Sequence, residues 1–129
     1  MLVIDAANVI GSRPTGWWRD RAGAAHQFVQ ELRQAARDGR LPLPALVVLE
    51  GDARAGPAET DIDRVRVVHA AHNGDDALVA QIASTGTILV TADRRLRERA
   101  RELGAETVGP SWLYDRLRPS QGRGDAETT

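Results

Sequence analysis

Thr87-Ile88-Leu89-Val90-Thr91-Ala92-Asp93-Arg94-Arg95-Leu96 is the stretch that decides the fold. The apolar run Ile88 to Val90 ends in Thr91 and Asp93, and Leu96, Ala100 and Leu103 then recur at helical spacing. This is a buried strand that carries an aspartate at its C-terminal tip and passes directly into a helix.

Working outward, the same unit recurs. Leu2-Val3-Ile4 is a short strand ending at Asp5, followed by a small-residue turn from Ala6 to Ser12 and a loop through Pro14 and Gly16. From Trp17 to Arg37 the spacing is helical, with Ala25, Phe28, Leu32 and Ala35 on one face, and Asp38-Gly39 stops that helix. Ala45-Leu46-Val47-Val48-Leu49 is a second apolar strand, ending at Glu50-Gly51-Asp52. Ala53 to Asp63 reads as a polar loop, and Val65, Val67 and Val68 as a third strand. A turn from His69 to Gly74 leads to Asp75-Asp76, which open a helix that ends at Gly86. Gly104 closes the helix after the opening strand, Glu106-Thr107-Val108 is a last short strand, and Pro110 starts a short helix to Leu117. Continuous apolar strands alternating with amphipathic helices predict an α/β fold. The expectation is a three-layer α/β/α sandwich with a central, mainly parallel sheet of about five strands. It forms one domain over residues 1–117, with a polar, disordered tail over 118–129.

Composition narrows the chemistry. The chain has 129 residues, is 42% hydrophobic and contains no cysteine, so disulfides and thiolate metal sites are excluded. All 17 basic residues are arginine, which rules out a catalytic lysine and supplies bidentate phosphate ligands. The net charge of −1 gives no global basic field. The N-terminal apolar run is broken by Asp5, so it resembles neither a signal peptide nor a membrane span, and a cytoplasmic protein is expected.

The acids are the functional signal. In a parallel α/β sheet the strand C-termini share one edge, where ligands bind. Asp5, Glu50 and Asp93 end strands, and Asp75 and Asp76 follow another after a short turn. Acids make up 18 of 129 residues, so a given position is acidic about one time in seven, and their presence at every one of these exits is unlikely by chance. Two carboxylates about 4 Å apart repel by roughly 4 kcal/mol at an effective dielectric near 20. Either arginine or a divalent cation must offset that repulsion. Oxygen donors without cysteine suit Mg²⁺ or Mn²⁺, and such ions serve hydrolysis of a phosphodiester or phosphoanhydride. The competing reading is that these acids are helix N-caps, for which Asp75 and Asp93 are well placed.

At these residues the chain resembles the PIN-like nuclease superfamily, and within it NYN domain proteins of the YacP type. Val3-Ile4-Asp5-Ala6-Ala7-Asn8-Val9-Ile10-Gly11 is similar to the opening motif, Gly74-Asp75-Asp76-Ala77-Leu78 to the family's acidic helix start, and Val90-Thr91-Ala92-Asp93 to its final block. The resemblance implies RNA cleavage with Mg²⁺ or Mn²⁺. It implies Asp5, Asp75 and Asp93 as the core metal ligands, with Asp76 and Glu50 as ligands or supports. It implies that Asn8 holds a water or phosphate beside the metal, and that Thr91 hydrogen-bonds near Asp93. Asp52 competes with Glu50 as the second-strand acid. The chain is shorter than is usual for the YacP type, which puts in question the elements that grip RNA.

Among the remaining residues, Arg13, Trp17, Trp18, Arg19 and Arg21 follow the first strand and can meet RNA phosphates and bases. Arg54, Arg94 and Arg95 lie near acids and can meet a phosphate. Arg97, Arg99 and Arg101 read as a solvated helix face. His72, three residues before Asp75, is a weaker candidate for an acid or accessory ligand. A P-loop and a nucleophile elbow are absent. A haloacid dehalogenase-like site would need an acid where Ala7 stands, and also a lysine. The expected function is therefore a metal-dependent ribonuclease. The alternatives are a nucleoside triphosphate pyrophosphohydrolase using the same site, and a non-catalytic RNA- or protein-binding module. The expected partner is RNA, with a protein inhibitor or a second copy of the chain as the other partners considered.

Overall fold

The structure is a computed structural model, and it describes residues 1–13, 16–71, 74–82 and 86–118. Of the disordered tail expected over 118–129, only Arg118 is described; residues 119–129, and His72, lie outside the described residues.

The sheet is built as the apolar runs require. β1 (Leu2–Asp5), β2 (Ala45–Leu49), β4 (Val65–His69), β5 (Ile88–Val90) and β6 (Glu106–Val108) are parallel, and β3 (Asp61–Ile62) pairs antiparallel with β4, in the order β3-β4-β2-β1-β5-β6. The sixth strand departs from the expected five. β3 is two exposed residues, too short and too polar to carry a strand signature. It forms because Asp63 and Arg64 take positive φ and turn the chain back onto β4.

Among the described residues, five helices cover the two faces. α1 (Ala6–Gly11), α2 (Arg21–Arg37) and α5 (Pro110–Leu117) lie on one face, packed on Leu2, Ile4, Val47, Leu49 and Val90. α3 (Gly74–Ile82) and α4 (Arg94–Glu102) cover the other, packed on Val3, Leu46, Val48 and Leu89. Odd and even strand positions divide between the two cores, as the period of two dictates. Full burial of each Leu or Ile contributes about 1.5–3 kcal/mol, so the two cores carry the fold.

Three stretches fold differently from the sequence expectation. The small-residue turn after β1 is the six-residue helix α1, N-capped by Asp5. The helix expected from Trp17 starts at Arg21, because Asp20 leaves helical geometry at φ −152° and accepts the Gly23 N–H at 2.9 Å. Trp17–Arg19 is a separate 3-10 turn. The loop after β2 contains another 3-10 turn, Gly51–Ala55.

The chain runs from β1 out to β2 and β4, then returns across β1 to β5 and β6. The strand order therefore reverses between β1 and β5. In open α/β sheets the ligand crevice lies at such a reversal, outside the strand C-termini.

Candidate active site

Strand register places the acids. Asp5 is aligned with Val48 on β2, and Ile4 with Val90 on β5, so Thr91 lies beside Asp5. Val48 belongs to the core under α3 and α4. Two residues on from Val48, Glu50 shares its parity, and so does Asp93 relative to Thr91. The period of two thus turns Asp5, Glu50 and Thr91 toward the layer from which α3 presents Asp75 and Asp76.

Asp5 is buried at the β1 tip. Thr91 Oγ1 donates to its Oδ2 at 2.9 Å, and the Asn8 N–H donates to its Oδ1 at 3.4 Å. Burial pushes the carboxyl up from an ordinary 3.8 to about 6; the Thr91 and Asn8 hydrogen bonds oppose this, and the charges of Asp75 and Glu50 add to it. Asp75 and Glu50 are thus electrostatic neighbours of Asp5, although the three leave the chain from different elements.

The β5–α4 connection is tied to β1 by a short network. The Ala92 N–H donates to Asn8 Oδ1 at 2.7 Å, and the Asp93 N–H donates to Thr91 Oγ1 at 3.1 Å. Asp93 Oδ1 in turn accepts the Leu96 N–H at 3.1 Å and caps α4. Capping is therefore real for Asp5 and for Asp93. Asp75 and Asp76 instead lie within the first turn of α3. Asn8 uses its oxygen to hold the Ala92 backbone, which fixes the side chain and leaves its amide N–H groups as the donors it can offer a substrate.

Glu50 rather than Asp52 faces this cluster. The Gly74 N–H donates to Glu50 Oε2, and Gly74 has no room for a side chain: a Cβ there would stand 2.8 Å from that oxygen. Asp52 is exposed in the turn that follows.

A cleft of about 470 Å³ lies between α3 and α4, lined by Asp75, Asp93, Arg95, Leu96 and Arg99. Arg99 also pairs with Asp76 at 3.6 Å. Arg99 is thus not merely part of a solvated face. Arg95 and Arg99 are spaced i,i+4, so both stand on the side of α4 that meets α3. Arg97 instead donates to Thr107 Oγ1 at 3.2 Å. Arg94 is exposed at the start of α4, outside the residues that line the cleft.

The remaining substrate candidates divide. Arg13 lies 3.4 Å over the Tyr114 ring, engaged with α5 rather than with the acids. Arg54 donates to the Gly51 and Ala70 carbonyls at 3.1 and 3.2 Å, clamping the loops after β2 and β4 together. Trp17 is partly buried and lines a concavity beside Glu50.

Among the described residues, no three carboxylate or imidazole groups already converge as a finished metal cage. The donor chemistry nonetheless fits a hard cation. The donors are oxygens, and the charges of Asp75 and Glu50 add to the rise of the Asp5 carboxyl that burial causes.

No protein-family model and no curated protein matches the chain. Among solved structures, the crystal structure of a mutant Rae1 (YacP) from Bacillus subtilis is similar, with a TM-score of 0.63 at 17% identity over 90% of this chain and 72% of that one. At this identity the likeness is one of fold. The chain has a three-layer, PIN-like α/β/α architecture of the YacP kind.

Proposed function

We propose that the protein is a Mg²⁺- or Mn²⁺-dependent ribonuclease. The observation that carries this reading is the buried Asp5 carboxyl at the strand-order reversal, raised to about 6 with Asp75 and Glu50 among the causes. A carboxylate whose charged form is disfavoured by burial and by two neighbouring acids, at the sheet edge where ligands bind, is the kind of group that functional sites use. A cation there would offset the shared negative charge. Asp5, Asp75 and Asp93 would hold the ion, with Glu50 and Asp76 supporting it. When bound, the ion would activate water and offset the charge that builds on phosphodiester oxygens.

The chain's own residues supply the rest. Thr91 and Asn8 orient Asp5 and Asp93 through the β1–β5 network. Arg95 and Arg99 line the same cleft as Asp75 and Asp93, where guanidinium groups suit the phosphates flanking the cleaved one. The partly buried Glu50 is fixed by the Gly74 N–H.

The test is cleavage of labelled RNA with Mg²⁺ or Mn²⁺, wild type against Asp93→Asn, alongside phosphate release from nucleoside triphosphates. RNA cleavage that is lost in the variant supports the nuclease and the site together. Triphosphate hydrolysis without RNA cleavage keeps the site and rejects the RNA substrate. RNA cleavage that survives in Asp93→Asn rejects the site.

A further inference from the structure

A second concavity opens on the other side of Glu50. It measures about 290 Å³, just below the roughly 300–1,000 Å³ usual for small-molecule pockets. That size suits one flat ring. Ala6, Ile10, Leu49 and Ala53 give it apolar surfaces, and Trp17, Arg21 and Glu50 are also among the lining residues. Leu49 and Ile10 belong to the core under α1 and α2, whereas Glu50 shares the parity of the opposite face. The slot and the acids therefore flank one sheet edge, with Glu50 common to both.

The slot's walls are set by close approaches in the fold itself. A Cβ at Gly11 would stand 3.2 Å from Trp17 Cζ2, so the bare glycine lets the indole lie against α1. A Cβ at Gly56 would stand 2.3 Å from the Ala22 carbonyl oxygen, so the end of the 51–55 turn can lie directly on α2. The Arg21 guanidinium lies 5.0 Å from the Trp17 ring centroid. Indole and guanidinium planes are the surfaces on which bases stack, and a carboxylate accepts the N–H groups of a base edge.

We propose that this slot receives one unpaired nucleobase, that of the nucleotide whose phosphate meets the acids; the inference rests on the ribonuclease reading above. A base held within a duplex is stacked and paired, and it must leave the helix before it can enter such a slot. The slot therefore selects single-stranded or looped RNA over duplex. A free nucleotide offers the same base chemistry, and the test separates the two sources.

Binding of short labelled oligoribonucleotides is measured by fluorescence anisotropy without divalent ion, with one abasic position walked along the strand. The expected result is a loss of about tenfold in affinity at one position and little change elsewhere. That profile becomes flat in Trp17→Ala and in Ala53→Leu, the second of which fills the slot and leaves the indole in place. A flat profile in the wild type, with binding intact, overturns the slot and leaves the ribonuclease reading standing. If no strand binds, adenosine and guanosine monophosphates are titrated against tryptophan emission. Saturable quenching that is lost in Ala53→Leu keeps the base slot and rejects RNA as its source. No quenching overturns both.

Discussion

The Thr91 hydroxyl donates to the Asp5 carboxylate at 2.9 Å, joining the tips of two neighbouring strands 86 residues apart in sequence. The same oxygen accepts the Asp93 N–H at 3.1 Å. One buried hydroxyl therefore sets the position of two of the proposed ligands. Thr91→Val keeps the shape and removes both bonds. The expected loss is about 1–3 kcal/mol, since each net hydrogen bond contributes roughly 1 kcal/mol and a buried acceptor is left short of a donor. The hydroxyl also lowers the Asp5 pKa, so the valine variant should titrate Asp5 higher still. Carboxyl NMR titration together with thermal melts checks both effects, and Thr91→Ser should restore them. An unchanged Asp5 titration in the valine variant would show that the hydroxyl does not support the carboxylate.

The raised Asp5 makes a second prediction, about pH. The folded protein keeps this proton up to about pH 6, whereas the unfolded chain releases it near 3.8. Between those values the folded state holds more protons, so Asp5 reduces stability as pH rises through that window, and the effect levels off above about pH 6. The span corresponds to about 3 kcal/mol as an order of magnitude. Asp5→Asn removes this dependence at the cost of one accepted hydrogen bond, about 1 kcal/mol. Denaturant melts in EDTA at pH 4 and pH 7.5 should therefore show the variant gaining on the wild type by a few kcal/mol across the interval. Parallel curves for the two proteins would mean that Asp5 is not raised.

Asp93 separates capping from ligation. Asparagine is as good an N-cap as aspartate, so Asp93→Asn should keep the bond to the Leu96 N–H and leave α4 intact. It removes only the charge. Mn²⁺ at about one hundred times its Kd should stabilise the wild type by about 2.7 kcal/mol, on the order of 10 °C in a domain of this size. The variant should lose most of that shift while melting within about 0.5 kcal/mol of the wild type in EDTA. Asp93→Ala should lose the cap as well, a further ~1 kcal/mol. An equal Mn²⁺ shift in the wild type and in Asp93→Asn would assign Asp93 to capping alone.

The strands and the edge they share were legible in the sequence because the parallel strands are buried on both faces and read as unbroken apolar runs. The acids followed, since a strand tip in such a sheet has one destination. Other features were hidden for specific reasons. Asp20 is a capping residue inside a helical pattern, and periodicity alone runs through it. β3 is held by a turn at Asp63 and Arg64 rather than by its own side chains. Arg99 was hidden because a charged residue on a helix is solvated by default. The i,i+4 step from Arg95, on a helix capped by a site acid, was the available signal. The preference for Glu50 over Asp52 needed tertiary structure, because it depends on where Gly74 lies. Trp17 and Arg21 were visible as an arginine–aromatic cluster, but the slot they line depends on the close packing of Gly11 and Gly56.

Arg95 and Arg99 carry the last prediction. The Arg99–Asp76 pair is 3.6 Å long and lies between side chains that are 46% and 82% exposed. Such pairs contribute about 0–1 kcal/mol, so Arg99→Gln should hardly change the melting temperature. If the two guanidinium groups meet RNA phosphates, their loss should appear in binding instead. Arg95→Gln and Arg99→Gln should each raise the Kd for single-stranded RNA several-fold and lower the slope of log affinity against log salt by about one. The double variant should lower it by about two, with KM rising more than kcat falls, because flanking-phosphate contacts are made equally in the ground and transition states. A salt slope unchanged in the double variant would remove both arginines from the RNA path and leave Arg99 as a partner of Asp76 alone.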